Sequence, residues 1–418
     1  MSDAGCTAPE TGTVEDRGVA SVVLSVLAVL TAGSLLVWLG SLVRLMRTDR
    51  PPLTVLPDDV ASAPDETQLV SVVLPARDEE ANIRACLTSL LAQDYPRMEI
   101  VVVDDRSSDR TASIVREIAA ADGRVRLERV DCLPDGWYGK THALHVGVQR
   151  ARGRWLLFTD ADCRHDPNSV RSGLAFLQTH GGQMLTLTPG FQTPGLIEKI
   201  VQPAVSTNFA VWFIFGSKDP FCARRPFANG QYMLIRRDAY DAVGGMASVR
   251  NRITEDVAFA RACHAAGLRV LTAVGTQLFS TRMYDSLAAM WHGWTRIYYG
   301  AFETPGMLVA VWLRTFVVAF LPFPVLVGSA AAVVCGGAGG GMTLLAALSL
   351  ATVIASMMTS RRSYPLMGMP SRYAPAYPLG VFAALCFQVG ALSRAAGLSG
   401  VTWRGTRYRG GQAEEVES

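Results

Sequence analysis

The sequence has little net charge and lacks any paired cysteine motif. Formal charges sum to +3 over 418 residues, which is too small a balance to indicate a nucleic-acid partner. The eight cysteines are scattered and include no CxxC pair. This spacing argues against a zinc site or a disulfide framework and favours reduced thiols. The chain also shows no internal repeat, and its low-complexity sequence is limited to a short glycine run at 336–341.

Charged residues are absent from residues 19–43. As a helix, these residues rise about 37 Å, enough to cross a bilayer with some tilt. The run is too long, and its leader too acidic, for a signal peptide. Because Arg44, Arg47 and Arg50 follow it, the positive-inside rule places the tail at 1–18 outside and the following domain in the cytoplasm.

A second apolar region lies within residues 307–395. It contains three candidate spans, at about 315–335, 342–358 and 376–392. One span before the central domain and three after it would place the tail at 396–418 outside. Arginines near these spans favour the inside, so one segment is expected to be re-entrant, interfacial or miscounted. These arginines are Arg361, Arg362, Arg404, Arg407 and Arg409.

The polar middle, residues 67–285, follows a linker at 44–66 that is rich in proline and aspartate. Apolar, β-branched runs such as "LVSVVLP" and "MEIVVVDD" predict buried strands. Amphipathic helix patterns separate these runs. The alternation predicts a doubly wound α/β sheet, in which ligands bind beyond the carboxyl ends of the strands.

Acidic residues follow three of the predicted strands. Glu79 comes after the first strand, Asp104 and Asp105 end the second, and Asp160 and Asp162 follow the fourth. Turn preferences account for any one cluster, but three clusters on one edge indicate a binding site. Carboxylates suit Mg²⁺ or Mn²⁺, the divalent cation that accompanies a nucleotide diphosphate.

Five segments resemble, in order, the motifs of family 2 glycosyltransferases with the GT-A fold. "WYGKTHA" and "RMYDSLAAMWHGWTR" are similar to the membrane-bound carotenoid branch, the 4,4'-diaponeurosporenoate glycosyltransferases. The resemblance implies a Rossmann-like nucleotide-sugar domain that faces the cytoplasm and is flanked by transmembrane helices of the cell membrane. The five segments are "VSVVLPARDEEANI", "VVVDDRSSDRT", "GWYGKTHAL", "FTDADC" and "ITEDVAFA".

The resemblance also implies roles for individual residues. Asp160 and Asp162 would form the DxD motif, with Asp162 the main metal ligand. Asp256 matches the catalytic base of the family, and the neighbouring Glu255 is the alternative. The residues that would hold uridine and ribose are Pro75, Ala76, Glu79, Asp104 and Asp105.

Lys140 raises the question of a nucleotide triphosphatase. A P-loop would need glycine at position 134, where the chain has Pro134. Lys140 is therefore expected near the diphosphate of a nucleotide sugar, with an ordinary solvated lysine as the alternative. The histidines at 142, 165 and 292 are expected to be surface or packing residues, with additional ligands or bases as the alternative.

The acceptor side is expected near the second apolar region. Residues 286–306 predict an amphipathic interface helix with aromatic side chains on one face. Trp294 and Arg296 lie where related enzymes carry a Q/R-x-x-R-W motif, although their order is reversed here. Gln231 belongs to a segment that resembles the acceptor-side strand of the family. The apolar stretch at 201–216 is too short to span a membrane and is expected to be interfacial or buried.

Together these features predict an inverting, divalent-metal-dependent hexose transfer. UDP-glucose is the expected donor, and a carotenoid or another terpenoid the expected acceptor. A glycerolipid or a polyprenyl phosphate is the alternative acceptor. Processive polysaccharide synthesis is disfavoured because the usual Q-x-x-R-W form is absent and the spans are few. A non-catalytic membrane scaffold with the same fold is the alternative from another class.

Overall fold

The structure is a computed structural model, and parts of the predicted tails and most of the predicted linker lie outside the residues that it describes. The structure describes residues 14–46, 54–55, 66–213, 222–223, 225–302, 304–336 and 339–398, together with the backbone of 401–403, 406–409 and 412–415.

Helices and strands alternate through the middle of the chain, as predicted. In chain order the elements are α1 (Val14–Met46), β1 (Val70–Ala76), α2 (Ile83–Leu91), β2 (Met98–Asp105), α3 (Thr111–Ala121), β3 (Val125–Val130), α4 (Gly139–Arg150), β4 (Trp155–Phe158), β5 (Cys163–His165), α5 (Ser169–Thr179), β6 (Met184–Thr188), β7 (Gly190–Phe191), α6 (Leu196–Phe213), β8 (Met233–Arg236), α7 (Arg237–Ala242), α8 (Glu255–Ala265), β9 (Val270–Val274), β10 (Phe279–Thr281), α9 (Leu287–Ala301), α10 (Pro305–Arg314), α11 (Pro322–Val334), α12 (Gly340–Ser363), α13 (Tyr377–Ala395), β11 (Val401–Trp403), β12 (Thr406–Arg409) and β13 (Gln412–Glu415).

A seven-stranded sheet forms the centre of the domain between the apolar segments, with strand order β3-β2-β1-β4-β8-β6-β9. β1 pairs in parallel with β2 and β4, whereas β8 runs antiparallel to both of its neighbours. The predicted α/β architecture is confirmed, and the sheet is mixed rather than wholly parallel. β1 and β2 are almost entirely buried, which explains their continuous apolar sequence.

A small sheet, ordered β5-β10-β7, supports the turn after β4. His165 in β5 is buried, and its ring lies 2.9 Å from Thr159 Oγ1 and 3.4 Å from Ser169 Oγ. Burial lowers the pKa of His165 to about 3. This histidine is therefore a neutral packing residue that anchors the turn carrying Asp160 and Asp162.

Four helical stretches in the described residues are long and apolar enough to cross a membrane. They correspond to the four apolar segments found in the sequence. One of them continues from α10 through a π-helical segment, Thr315–Phe320, into α11. The four stretches are Gly18–Met46, Pro305–Val334, Gly340–Met367 and Ser371–Ala395.

α6 and α9 pack together between the sheet domain and these apolar helices. The predicted aromatic face of α9 is divided: Trp294 and Tyr298 are buried, whereas Leu287 and Trp291 remain exposed. The buried pair packs in one cluster with α6 and α13. α9 is therefore held by protein on much of the face that its sequence pattern assigned to the membrane interface.

α4 approaches the sheet so closely that it requires glycine at position 147. A Cβ atom at Gly147 would collide with Cγ1 of Val73 and lie 3.0 Å from Cγ2 of Val103. Both neighbours are β-branched and have little rotamer freedom.

We predict that Gly147→Ala destabilises the protein by about 1–3 kcal/mol through overpacking. Helix propensity alone would favour alanine by about 0.5–1 kcal/mol, so the two effects have opposite signs. Thermal unfolding of the detergent-solubilised protein measures the change. Gly306→Ala is the matched control, since a Cβ there meets nothing within 4 Å. An unchanged or higher unfolding temperature for Gly147→Ala would contradict the close approach.

Candidate active site

A cleft of about 430 Å³ lies beyond the carboxyl ends of β1, β2 and β4. Its walls come from the loops after β1 and β4, from the first turns of α4 and α8, and from α9. Asp104 and Trp294 are predicted site residues that do not line it. The predicted residues that do line it are Pro75, Ala76, Glu79, Asp105, Lys140, Asp160, Asp162, Gln231, Glu255, Asp256 and Arg296.

The loops after β1 and β2 are joined by hydrogen bonds. Asp78 and Arg106 adopt left-handed backbone, with φ of 51° and 58°, which is uncommon outside glycine and costs about 1–3 kcal/mol each. Asp78 Oδ1 accepts from the Ser108 backbone N–H at 2.8 Å. The Asp78 N–H in turn donates to Ser107 Oγ at 3.0 Å. These contacts hold the strained loops in place and fix one wall of the cleft.

Only one of the two aspartates that end β2 reaches the cleft, because successive strand residues point to opposite faces. Asp104 is buried, and its carboxylate lies 3.2 Å from Nε of Arg129. Asp105 lines the cleft and accepts a hydrogen bond from Arg106 Nε at 3.0 Å. A Cβ at Gly139 would collide with Asp105 Oδ2. Glycine at the start of α4 therefore makes room for this carboxylate.

Asp160 and Asp162 follow β4 and face the same cleft. Burial, together with the charges of Asp160 and Glu79, raises the pKa of Asp162 to about 7, although a hydrogen bond with Thr281 works in the opposite direction. Negative charge is therefore concentrated at this point of the cleft.

A divalent metal fits the residues at this point. Within the described part of the chain, no group of three or more His, Cys, Asp or Glu side chains is arranged to hold a metal alone. Mg²⁺ is commonly held by one or two carboxylates, with substrate phosphates and water completing its shell. Asp160 and Asp162 provide such a partial set, and a bound cation would relieve the repulsion that raises the pKa of Asp162.

Lys140 connects two of the carboxylates in the cleft. Its Nζ lies 2.8 Å from Asp160 Oδ1 and 2.9 Å from Glu255 Oε1. Burial lowers the pKa of Lys140, but the charges of Asp160, Glu255 and Asp256 outweigh this effect and leave the pKa above its ordinary value. The ammonium group therefore stays charged and joins the turn after β4 to α4 and α8.

Glu255 and Asp256 begin α8 but have different surroundings. Glu255 is 5% exposed and bound to Lys140. Asp256 is partly exposed, and its Oδ2 accepts from the Gly230 N–H at 2.8 Å while Oδ1 accepts from the Val257 N–H at 2.7 Å. Burial, followed by the charge of Glu255, raises the pKa of Asp256 to about 6, against the opposing effect of Lys140. The pKa of Asp256 therefore lies closer to neutral pH than that of an ordinary aspartate.

α9 forms the wall of the cleft nearest the apolar helices. His292, Gly293 and Arg296 line the cleft. Trp294 points away from it, and its Nε1 donates to Gln202 Oε1 of α6 at 3.1 Å. Of the two α9 residues predicted for the acceptor side, Arg296 lies in the cleft, whereas Trp294 packs α9 against α6.

Gln231 and Tyr284 complete the cleft near β10. Gln231 is 6% exposed, and its Nε2 donates to Thr281 Oγ1 at 3.4 Å. The ring of Tyr284 rests on Gly293, where a Cβ would collide with it. Burial raises the pKa of the Tyr284 hydroxyl.

Several lining residues were not identified from the sequence. Tyr138 and Tyr284 lie inside the segments that resemble family motifs, and Asn229 lies close before Gln231, so a local signal existed for them. His292 was expected to be a surface or packing residue and instead faces the cleft. Arg252 carries no recognisable sequence pattern and reaches the cleft only through the path of the loop before α8.

Comparison with known proteins gives a consistent result. Residues 71–244 match the family model described as Glycosyl transferase family 2. A 4,4'-diaponeurosporenoate glycosyltransferase of Staphylococcus haemolyticus (strain JCSC1435) is 28% identical over 61% of this chain and 69% of its own length. The protein of the same name from Staphylococcus aureus (strain USA300) is 28% identical over 54% of this chain and 60% of its own length. The match therefore spans less than two thirds of the second relative.

A solved structure shares the fold. The mannosyltransferase PcManGT from Pyrobaculum calidifontis, in complex with GDP-Man and Mn²⁺, has a TM-score of 0.51 and 19% sequence identity, covering 86% of this chain and 99% of that one. At this identity the similarity concerns the fold, and it confirms the predicted GT-A architecture. The family model and the relatives above support a family 2 glycosyltransferase: residues 71–244 match that family, and both relatives are named as glycosyltransferases.

Proposed function

We propose that the protein transfers a hexose from a nucleotide sugar, with UDP-glucose the expected donor, to a hydrophobic acceptor in the cytoplasmic membrane, and that the product has inverted anomeric configuration. The observation that carries this proposal is the joint placement of Asp162 and Asp256 in one cleft whose wall, α9, leads directly into an apolar helix. The curated relatives are named as carotenoid glycosyltransferases, which supports a carotenoid or related terpenoid acceptor.

The donor binds across the carboxyl ends of β1, β2 and β4 in this proposal. Asp105, with Pro75 and Ala76, contacts the nucleoside, and Glu79 contributes to the same wall. Asp160 and Asp162 hold the divalent metal, which when bound supplies positive charge that stabilises the leaving diphosphate. Lys140, whose ammonium already lies beside Asp160, adds a second positive charge at this end of the cleft.

Asp256 is the proposed catalytic base. It accepts the proton of the acceptor as the acceptor oxygen attacks the anomeric carbon. The Gly230 and Val257 N–H groups orient its carboxylate. Glu255 is less suited because it is buried and bound to Lys140, so its role is to position that lysine. A single displacement of this kind inverts the anomeric carbon.

The acceptor approaches from the side of α9. Arg296 and His292 line this side of the cleft, while Leu287 and Trp291 on the same helix are 49% and 39% exposed. One helix thus presents polar groups to the donor site and apolar groups to its surroundings. This arrangement suits an acceptor with a polar end and a long apolar body.

We predict that Asp162→Asn lowers the rate of nucleoside diphosphate release by about 100-fold or more, a loss comparable to removal of a group that stabilises developing charge. The assay uses purified protein, a panel of UDP- and GDP-sugars, extracted membrane lipid, and Mn²⁺, Mg²⁺ or EDTA. Asp135→Asn is the matched control, since Asp135 is exposed and lies outside the cleft.

EDTA is expected to abolish the activity, and one donor should dominate. A wild-type protein that releases no diphosphate with any donor, metal or lipid extract would favour the non-catalytic scaffold. Full activity of Asp162→Asn would remove the proposed metal role of this aspartate.

We predict that kcat/KM falls about tenfold for each pH unit below about 6, because Asp256, with a pKa raised to about 6, must be deprotonated to act as a base. Initial rates between pH 5 and 8, at saturating metal, measure this dependence. Asp256→Asn should lose most activity together with this pH dependence, whereas Glu255→Gln should keep the pH dependence. If Glu255→Gln lost the pH dependence and Asp256→Asn kept it, Glu255 would be identified as the base.

We predict that carotenoid or terpenoid acceptors with a free hydroxyl or carboxyl group give a single glycosylated product, rather than a series of products with increasing numbers of sugars. Mass spectrometry of products from separate carotenoid, diacylglycerol and polyprenyl phosphate incubations distinguishes the acceptor classes. Product formed only from diacylglycerol or polyprenyl phosphate would replace the proposed acceptor. A ladder of products would indicate processive synthesis instead.

A further inference from the structure

The apolar helices connect to the catalytic domain in a way that defines two sides. α9 lines the cleft and ends at Ala301, and α10 begins at Pro305. The start of the α10–α11 stretch therefore lies on the cleft side, and its end at Val334 lies on the far side. α12 returns to the cleft side, because Ser363 Oγ at its end lies 3.2 Å from Thr207 Oγ1 of α6.

The chain is still beside the catalytic domain just after α12. A Cβ at Gly368 would lie 3.2 Å from the Cα of Gly190 in β7. A spanning helix that starts here would have to run from the cleft side to the far side.

α13 instead runs toward the cleft side, antiparallel to the α10–α11 stretch. The ring centroids of Tyr377 and Phe323 are 6.4 Å apart, and those of Phe382 and Phe320 are 6.1 Å apart. Further along, Gln388 Nε2 donates to Thr315 Oγ1 at 3.1 Å. Residues later in α13 thus contact residues earlier in the α10–α11 stretch. The early residues of that stretch lie on the cleft side. α13 therefore approaches the cleft side as it proceeds.

The start of α13 lies inside the apolar layer. The ring of Tyr377 is 5.6 Å from that of Trp38, which lies near the end of the apolar run of α1, about 9 Å along the helix before Arg44 at a rise of 1.5 Å per residue. Phe323, its partner in α11, lies about 14 Å along the helix beyond Arg314 at a rise of 1.5 Å per residue. These two depths, about 9 Å and about 14 Å, are roughly a third to a half of a hydrocarbon core that is about 30 Å thick.

The end of α13 lies at the level of the cleft. A Cβ at Gly390 would be 3.0 Å from Thr295 Oγ1 and 3.1 Å from Trp291 Cζ2, both in α9. The residues next to these two, His292 and Arg296, line the cleft. Both the segment before α13 and its final turns are therefore in contact with the catalytic domain.

We infer that Ser371–Ala395 is a re-entrant hairpin that does not cross the membrane. The short 3₁₀ turn Ser371–Ala376 enters the apolar layer on the cleft side without reaching the far side, and α13 returns toward the cleft. The opposite faces of α13 differ: Val381, Ala384 and Phe387 are buried against protein, while one outward face is exposed. The exposed residues are Leu379 (64%), Phe382 (57%) and Val389 (51%).

The acyl chains of the leaflet on the cleft side cover this outward face. The chain then crosses the membrane three times, through α1, α10–α11 and α12, and the residues after Ala395 lie on the same side as the cleft. This arrangement removes the conflict between the number of apolar segments and the arginines in the tail, which favour the side of the catalytic domain. It requires membrane insertion but not the proposed reaction, so the two can fail separately.

Cysteine labelling in sealed vesicles of both orientations tests the path of the chain. Cys132 in the catalytic domain and Cys335 after α11 are exposed and serve as internal markers for the two sides. Each is kept as the single accessible cysteine in one full-length variant. A third variant carries Leu398→Cys, at a position that is 81% exposed just after α13. Cys6, Cys222 and Cys386 are replaced by serine in all three.

A membrane-impermeant maleimide should label Leu398→Cys in the same vesicle orientation as Cys132, and Cys335 in the opposite one. Labelling of Leu398→Cys together with Cys335 would mean that α13 crosses, and would overturn the inference. Labelling of Cys132 and Cys335 from one side would overturn it as well, because α10–α11 would then not span. Green fluorescent protein fused after Ser418 gives an independent readout, since it should fluoresce on the side that carries the catalytic domain.

A nitroxide label at Phe382→Cys tests the lipid contact in the same cysteine-replaced background. Collision with oxygen should exceed collision with a water-soluble nickel chelate at this position, and the order should reverse for a label at Leu398→Cys. Preferential collision of the Phe382→Cys label with the nickel chelate would place this face of α13 in water and overturn the assignment of its partner.

Discussion

The ammonium group of Lys140 is the contact on which the cleft depends. It lies within 3 Å of carboxylate oxygens of both Asp160 and Glu255, and so joins the turn after β4, the first turn of α4 and the start of α8. These three elements come from distant parts of the sequence. Without a cation between them, the two carboxylates would face each other across a partly buried site, where repulsion is poorly screened.

One lysine does not balance the negative charge gathered here. Asp162 and Asp256 lie in the same cleft, and their raised pKa values, about 7 and about 6, record the cost of holding several carboxylates out of water. Such perturbed groups in a cleft are typical of functional sites. The same imbalance explains why a divalent cation and a proton acceptor both have a place in the proposed reaction.

The hairpin inferred for Ser371–Ala395 would place the membrane close to this chemistry. α13 packs on α9 through Gly390, and the opposite side of α9 lines the cleft. Acyl chains against α13 would then lie about one to two helix diameters, of about 10 Å each, from the donor site. An acceptor dissolved in that leaflet could present its polar end to the cleft while its apolar body stays in lipid.

The sequence by itself determined the alternation of strands and helices, the four apolar segments and the acidic strand ends, because each depends on local hydrophobic period or on residues adjacent in the chain. The resemblance of its motifs to those of family 2 glycosyltransferases also assigned Asp160, Asp162 and Asp256 to one site. The tertiary structure decided what depends on distant packing. It turned Asp104 toward Arg129 and Asp105 toward the cleft, fixed Trp294 on Gln202, and set Lys140 between two carboxylates. It also gave α13 its direction. Composition shows that a segment is apolar enough for lipid, but only its contacts with neighbouring helices show which way it runs and how deep it lies.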